Sequence, residues 1–243
     1  MAKSCFISQI SLVLFFLTLT TSIRPTYAGE QSTYKFKWLD PDKEVYVLQN
    51  RKFRKDGRVY LNIGAGMTTS GAFVDSKTIQ SRAGYFFTEE WGIELLYAKT
   101  SGAENATALS LRNEGASGSV PFRRIIDGYN AAMLMWSPFY SKINTFNKIY
   151  YYDILLGVGL ASLTETNNKK EFLSGGTGED ALISETHTGY LWNIGMKFFL
   201  SQSFDLRLDL TTIHYQAETP SNKSKVNSWY TNYDLAASVG YSF

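Results

Sequence analysis

The sequence is poor in the residues that most often carry chemistry. It holds one cysteine and two histidines in 243 residues. The single thiol, Cys5, falls inside an N-terminal stretch that reads as an export signal, so the exported chain is expected to have no thiol at all. That excludes disulfides, thiolate metal sites and a cysteine nucleophile. Cys5 also precedes the apolar run instead of following it, which excludes a lipoprotein acceptor. Long apolar runs are missing too. After Ala28 no stretch is long enough for a helical membrane span. Proline is scarce, and Pro121, Pro138 and Pro220 are expected in connections, where no ladder hydrogen bond is lost.

Charge of one sign is lacking as well. Residues 1–28 carry Lys3 and Arg24 and no acid, so their removal leaves 22 basic and 22 acidic residues and a net charge of zero. A neutral chain offers no signature of nucleic-acid binding. Lys3, the run "CFISQISLVLFFLTLT" and the small residue Ala28 match the three regions of a cleavable signal peptide. An uncleaved anchor is the competing reading, and the apolar core is short for one. Residues 29–57 are polar and mixed in charge and read as a periplasmic lead segment, with a disordered linker as the alternative for their first half.

What is abundant is aromatic: sixteen Tyr and sixteen Phe, in a chain whose text from residue 58 alternates with period two. In "RVYLNIGAG" Val59, Leu61 and Ile63 oppose Tyr60, Asn62 and Gly64. "TIQSRAGYFF" turns Gln80, Arg82 and Gly84 to its polar face, and "WGIELLYA" sets Trp91, Ile93, Leu95 and Tyr97 against Gly92 and Glu94. In "IIDGYNAAMLMW" both faces are apolar, and Gly128 and Asn130 suggest the polar side. "YYYDILLGVGLASL" opposes Tyr152, Ile154 and Leu156 to Asp153 and Gly157, and "YLWNIGMKFF" opposes Trp192 and Ile194 to Asn193 and Lys197. "FDLRLDLTT" sets Phe204, Leu206 and Leu208 against Asp205, Arg207 and Asp209, and "YDLAASVGYSF" is the eighth segment.

A soluble sandwich would turn the apolar face inward, whereas an outer-membrane barrel turns it to lipid. Here the mid-strand charges Arg82, Glu94, Asp153, Lys197, Arg207 and Asp209 sit among glycines, which make room for long side chains in a narrow lumen. The rings Trp91, Tyr97, Tyr150, Tyr233 and Phe243 fall at strand ends, where aromatic girdles meet the interfaces. The reading is an all-β fold: a closed antiparallel transmembrane β-barrel of about eight strands over residues 58–243. Connections near 67–77, 101–123, 164–186 and 217–229 should face outward, and those near 88–90, 137–148 and 200–203 inward. "SPFYSKINTFNK" is long for an inward turn.

Four stretches, "VYVLQNRKFRKDGRVYLNIGAG", "AGYFFTEEWGIEL", "SPFYSKINTFNKIYYYD" and "GMKFFLSQSFDLRLDL", resemble the outer membrane beta-barrel domain family of predatory and gliding deltaproteobacteria. The resemblance covers nearly all of the chain after residue 28. It implies a small barrel similar to the OmpA transmembrane domain, in the outer membrane of a Gram-negative bacterium; the chain is expected to depart from OmpA in having no peptidoglycan-binding domain after the barrel. It implies little about activity. In such barrels a terminal aromatic resembles the signal read by the outer-membrane insertion machinery, which singles out Phe243 and Tyr241.

Chemistry is sparse. Barrels of this size include lipid-modifying enzymes, for which His187 near Ser184 and Glu185, and His214 near Thr211 and Tyr215, are the candidate bases. Neither neighbourhood carries a triad signature, and both are expected as rim residues in the headgroup zone. Glu94, Asp127, Asp153 and Asp209 are oxygen donors spread over different strands, so no metal site and no cofactor are expected. Arg82, Lys197 and Arg207 should instead pair with Glu94, Asp153 and Asp209 to close the lumen. The outward stretches 101–124 and 164–186 are polar and rich in Gly and Ser, as solvated loops or as a binding surface. Expected partners are outer-membrane lipid, the insertion machinery and a periplasmic or surface protein, with no nucleic acid. The function classes left are a structural or surface-interaction barrel, a narrow channel, and a lipid-modifying enzyme, with a non-enzymatic role expected.

Overall fold

A computed structural model of the chain describes residues 33–34, 45–46, 51–69, 71, 73–114, 121–146, 148–173, 182–220 and 226–243. The expected signal peptide lies outside the described residues. The chain forms two units, Met1–Lys52 and Phe53–Phe243. In the first, β1 (Thr33–Tyr34) pairs antiparallel with β2 (Val45–Tyr46).

The second unit is a ring. Strands β3 (Val59–Thr69), β4 (Val74–Phe86), β5 (Trp91–Glu104), β6 (Arg124–Thr145), β7 (Lys148–Asn167), β8 (Ile183–Phe199), β9 (Phe204–Thr219) and β10 (Val226–Ser242) pair antiparallel with their neighbours in sequence. β10 closes on β3, from Tyr233 opposite Thr69 to Ser242 opposite Tyr60. The Phe243 N–H donates to the Val59 carbonyl at 2.9 Å, so pairing extends to the last residue. Closure leaves no strand edge, which in hydrocarbon would strand backbone groups without partners at several kcal/mol each. Among the described residues no helix is long and apolar enough to cross a membrane.

Alternation decides which way the ring is turned. Ile63 and Ile79 are 70% and 68% exposed, while Arg82 is 1% and Asp153 0% exposed. A water-soluble fold would invert that order. The expected faces of β3, β4, β5, β8, β9 and β10 are the observed ones. The outward apolar band ends in rings on both sides. Trp91 stacks on Trp136 (5.8 Å) and Phe204 meets Tyr241 edge-on (5.1 Å) at the end carrying the short turns, and Tyr190 stacks on Trp229 (6.4 Å) at the other. Lumen glycines leave space for long neighbours: a methyl on Gly84 would collide with the Tyr60 ring, and one on Gly195 would lie 2.5 Å from Asp209 Oδ1.

β6 departs from the expectation at three points. Gly128 and Asn130 do not line the lumen; Tyr129, Ala131, Met133 and Met135 do. The register slips between Ile126 and Gly128, so Asp127 is one residue too many, and a single inserted residue reverses every later side chain. Pro138 is not in a connection either. It sits within β6 at a second slip, between Trp136 and Phe139, where the ladder asks for no N–H. Beyond it pairing resumes to Thr145 opposite Lys148, so the long turn over 137–148 is mostly strand, with Phe146 at φ 50° at its tip. The outward connections are shorter than expected and partly ordered. The first lies between Thr69 and Val74, and two others contain α1 (Ala106–Glu114) and α2 (Lys169–Leu173). The Asn105 side chain caps α1 by accepting the Ala108 N–H at 3.0 Å.

Candidate functional site

The lumen is built in layers. At the turn end, residues before β3 fold beneath the ring. Phe53 stacks on Phe199 (5.0 Å, 2° between planes) and meets Tyr151 edge-on (5.3 Å). Lys55 reaches in to pair with Asp153 and donates to Ser137 Oγ at 2.5 Å. The cavity left here is about 10 Å³, room for no more than about one water.

Above it lies a four-charge cluster from β4, β5 and β9. Glu94 accepts from Arg82 Nη1 at 2.8 Å and from Arg207 Nη1 at 2.5 Å, and the Tyr60 hydroxyl donates to it at 2.5 Å. Arg207 Nε also donates to Asp209 Oδ1 at 2.9 Å. Arg82 Nη2 continues to Thr211 Oγ1 at 2.9 Å, which in turn accepts from Asn193 at 2.9 Å. Two guanidinium groups face two carboxylates, all of them buried. Each charge is thus paired inside a low-dielectric space, the condition under which buried ions are tolerated.

The pairing differs from expectation in one respect. Lys197 and Asp153 are cross-strand neighbours, yet Lys197 pairs with Asp205 at 3.1 Å and Lys55 takes Asp153. The physical reason is reach: Lys55 enters from below and meets Asp153 where Ser137 adds a second acceptor. Lys55, Tyr60 and Asp205 were not singled out in the sequence. Asp205 was visible on the polar face of β9, whereas nothing local signals Lys55.

Toward the loop end one side of the lumen turns apolar, while on the other the buried Asp234 accepts from Thr68 Oγ1 at 2.8 Å and from the Tyr129 hydroxyl at 3.0 Å. Leu96, Ala98, Ile126, Leu163, Leu191 and Ile213 pack inward, and above them a pocket of about 250 Å³ opens among Phe73, Phe122, Arg124, Ile126, Tyr215 and Tyr230. The Arg124 guanidinium lies 4.0 Å from the Tyr230 ring centroid and pairs with Glu165 at 2.8 Å. Glu165 stands beyond the apolar band, since the outward residues of β7 past Leu160 are Ser162, Thr164 and Thr166. Burial raises its carboxyl above the ordinary range, against the pull of Arg124 and His187.

The expected histidines fall on opposite faces. His187 points into the mouth, stacked on Tyr215 (5.6 Å) and 3.2 Å from Glu165, and so is not a headgroup residue. His214 faces outward beside Tyr190; it accepts from Trp192 Nε1 at 3.0 Å and contacts Thr231 Oγ1 at 2.9 Å. His214 has no carboxylate among these contacts, and among the described residues neither ring makes a hydrogen bond to Ser184 or Thr211. Of the expected oxygen donors, Glu94, Asp153 and Asp209 are held by cations, and Asp127 accepts from Thr166 at 2.6 Å.

The outward loops are tied to one another. Arg123 pairs with Glu104 and reaches Glu171 at 3.7 Å. Asn168 accepts the Arg123 N–H at 2.8 Å and donates to the Pro121 carbonyl at 3.0 Å, and Lys169 pairs with Glu218 at 2.6 Å. Phe122 meets Phe172 edge-on at 5.9 Å. Polar, Gly- and Ser-rich composition concealed these ties.

No curated protein matches the sequence. Among solved structures, the chain is similar to the N-terminal β-barrel domain of OprF from Pseudomonas aeruginosa, at 13% identity and a TM-score of 0.45, over 77% of this chain and 98% of that one. It is also similar to OprG from the same organism, at 12% identity and a TM-score of 0.44, over 80% and 99%. Neisserial surface protein A is a third, at 15% identity and a TM-score of 0.44, over 76% and 96%. The family model described as outer membrane protein beta-barrel domain matches residues 48–243; the chain belongs to that family and resides in the outer membrane of a Gram-negative bacterium.

Proposed function

We propose that the protein is a non-enzymatic, structural or surface-interaction barrel: a closed, charged lumen that anchors ordered outward loops. The observation that carries this reading is the neutral Arg82–Glu94–Arg207–Asp209 cluster, sealed beneath by Phe53 and Lys55 with about 10 Å³ left open. A solute would have to break several charge-assisted hydrogen bonds in sequence to pass. What the barrel presents instead is its loop end, where Arg123, Asn168 and Lys169 hold the connections in one arrangement. Kinship with barrels of predatory and gliding deltaproteobacteria rests on the four quoted stretches, and a surface or periplasmic protein is the partner class that fits such loops.

Phe243 and Tyr241 belong to the same proposal as the signal for insertion. Their rings meet at 4.9 Å on the lipid face of the closing strand, and Phe243 is 66% exposed. Recordings of the refolded protein in planar bilayers test the closed lumen. Silence at all voltages is expected, and unitary conductance steps would replace this reading with that of a narrow channel.

A further inference from the structure

At the loop-end mouth, two carboxylates face each other across the β7–β8 ladder. Glu165 is directly opposite Glu185, and His187 follows two residues along β8 on the same inward face. Like charges in directly opposed positions destabilise a sheet unless a cation lies between them. Arg124 serves Glu165 at 2.8 Å. The only ionic contact of Glu185 among the described residues is His187, at 3.6 Å.

The donor atoms have the spacing of a coordination shell. His187 Nε2 lies 3.2 Å from Glu165 Oε1 and 3.6 Å from Glu185 Oε2, and all three atoms lie within 4.8 Å of one another. A tetrahedral ion with ligands near 2.0–2.2 Å sets neighbouring donors about 3.4 Å apart. His187 Nε2 is buried and makes no hydrogen bond, whereas Glu165 Oε1 faces Arg124 Nε at 2.8 Å, and the Glu165 side chain is 0% exposed. A buried ring nitrogen without a hydrogen bond is costly, and a cation between Glu165, Glu185 and His187 would satisfy it. Tyr215 donates to the other Glu165 oxygen at 3.1 Å and stacks on the His187 ring, which fixes the orientation of two donors. Glu185 and His187 keep 28% and 16% of their side chains exposed, so an ion can enter from outside.

We propose that Glu165, Glu185 and His187 form a site for one divalent transition-metal ion at the outer mouth of the barrel. One imidazole and two carboxylates suit Zn²⁺ better than Mg²⁺ or Ca²⁺, which favour shells of oxygen alone. Three protein donors leave a position for water. The bound ion would clamp β7 to β8 above the lipid band, where the ladder carries the opposed carboxylates. The sequence hides the site because Glu165 lies 20 residues from Glu185 in what reads as loop, and only the β7–β8 register unites them.

The test is Zn²⁺ titration of the full chain, refolded in detergent micelles and stripped with chelator, followed by calorimetry. Wild type should take up one ion per chain. Glu185→Gln and His187→Ala should each weaken binding on the order of tenfold or more. His214→Ala, which removes the outward-facing imidazole, should bind as wild type. Heat-modifiable gel mobility verifies that each variant is folded; the near-isosteric Glu185→Gln carries the test if His187→Ala does not fold. No uptake by wild type would overturn the site. Equal uptake by wild type and Glu185→Gln would also overturn it.

Discussion

The two halves of the lumen solve the same problem differently. The turn-end half is filled with charge: Arg82, Arg207, Lys197 and Lys55 are matched by Glu94, Asp209, Asp205 and Asp153. The loop-end half is lined on one side by Leu96, Ile126, Leu163, Leu191 and Ile213, holds the buried Asp234 on Thr68 and Tyr129 on the other, and gathers its ion pairs at the mouth. An ion network must be complete to be tolerated, because each member compensates another. An apolar lining with ion pairs at its rim has no such all-or-none demand. The turn-end half is therefore built to be closed, and the loop-end half to be altered.

Glu94→Ala should expose that difference most strongly. It removes the acceptor of Tyr60, Arg82 and Arg207 together and leaves two buried guanidinium groups sharing Asp209. Breaking a buried pair in this way costs about 3–5 kcal/mol. Urea unfolding of the refolded barrel, followed by gel mobility and tryptophan fluorescence, should register the loss. A change within about 0.5 kcal/mol, the range of an ordinary surface substitution, would mean that the network is not what holds the turn-end half shut.

Legibility in the sequence follows the same division. Alternation is local, so the strands, the faces of "FDLRLDLTT" and the inward charges Arg82, Glu94, Arg207 and Asp209 could all be read from neighbours in the chain. Partner choice is not local. Lys55 and Asp153 are 98 positions apart, and their meeting depends on how the ring closes and on where the chain below it turns inward. The extra residues near Asp127 and Pro138 were hidden for another reason. Bulges reverse a face without changing composition, so the polar residues Gly128 and Asn130 pointed to the wrong side of β6. At the mouth, Gly- and Ser-rich text masked short helices and the Glu165 cluster alike.

A middle-sized effect is expected at the seam below the charged half. Phe243→Ala removes one ring from the Phe204–Tyr241–Phe243 cluster, whose neighbouring centroids lie 5.1 and 4.9 Å apart. An aromatic pair is worth about 0.5–1.5 kcal/mol, and the Phe243 backbone bond to Val59 survives the change. Equilibrium stability should fall only that far. Delivery should suffer more, with a smaller share of the chain reaching the heat-modifiable form in outer-membrane fractions. If the membrane-inserted share equals that of wild type, Phe243 is a girdle residue and no insertion signal.

The smallest effect on stability belongs to the loop end. Arg123→Ala removes the pair with Glu104, which is partly open to solvent, and the longer contact with the buried Glu171. Pairs of that kind contribute about 0–1 kcal/mol, and the strands beneath lose nothing. The urea midpoint should therefore hardly move. The connection between β5 and β6 loses a tie to α2, however, so proteinase K should cut it faster in intact membranes while the barrel core stays protected. Cleavage at the wild-type rate would show that Asn168 and the Phe122–Phe172 contact hold the loops without Arg123. Loss of barrel stability comparable to that of Glu94→Ala would instead erase the distinction between the halves, because the rim would then be as indispensable as the charged interior.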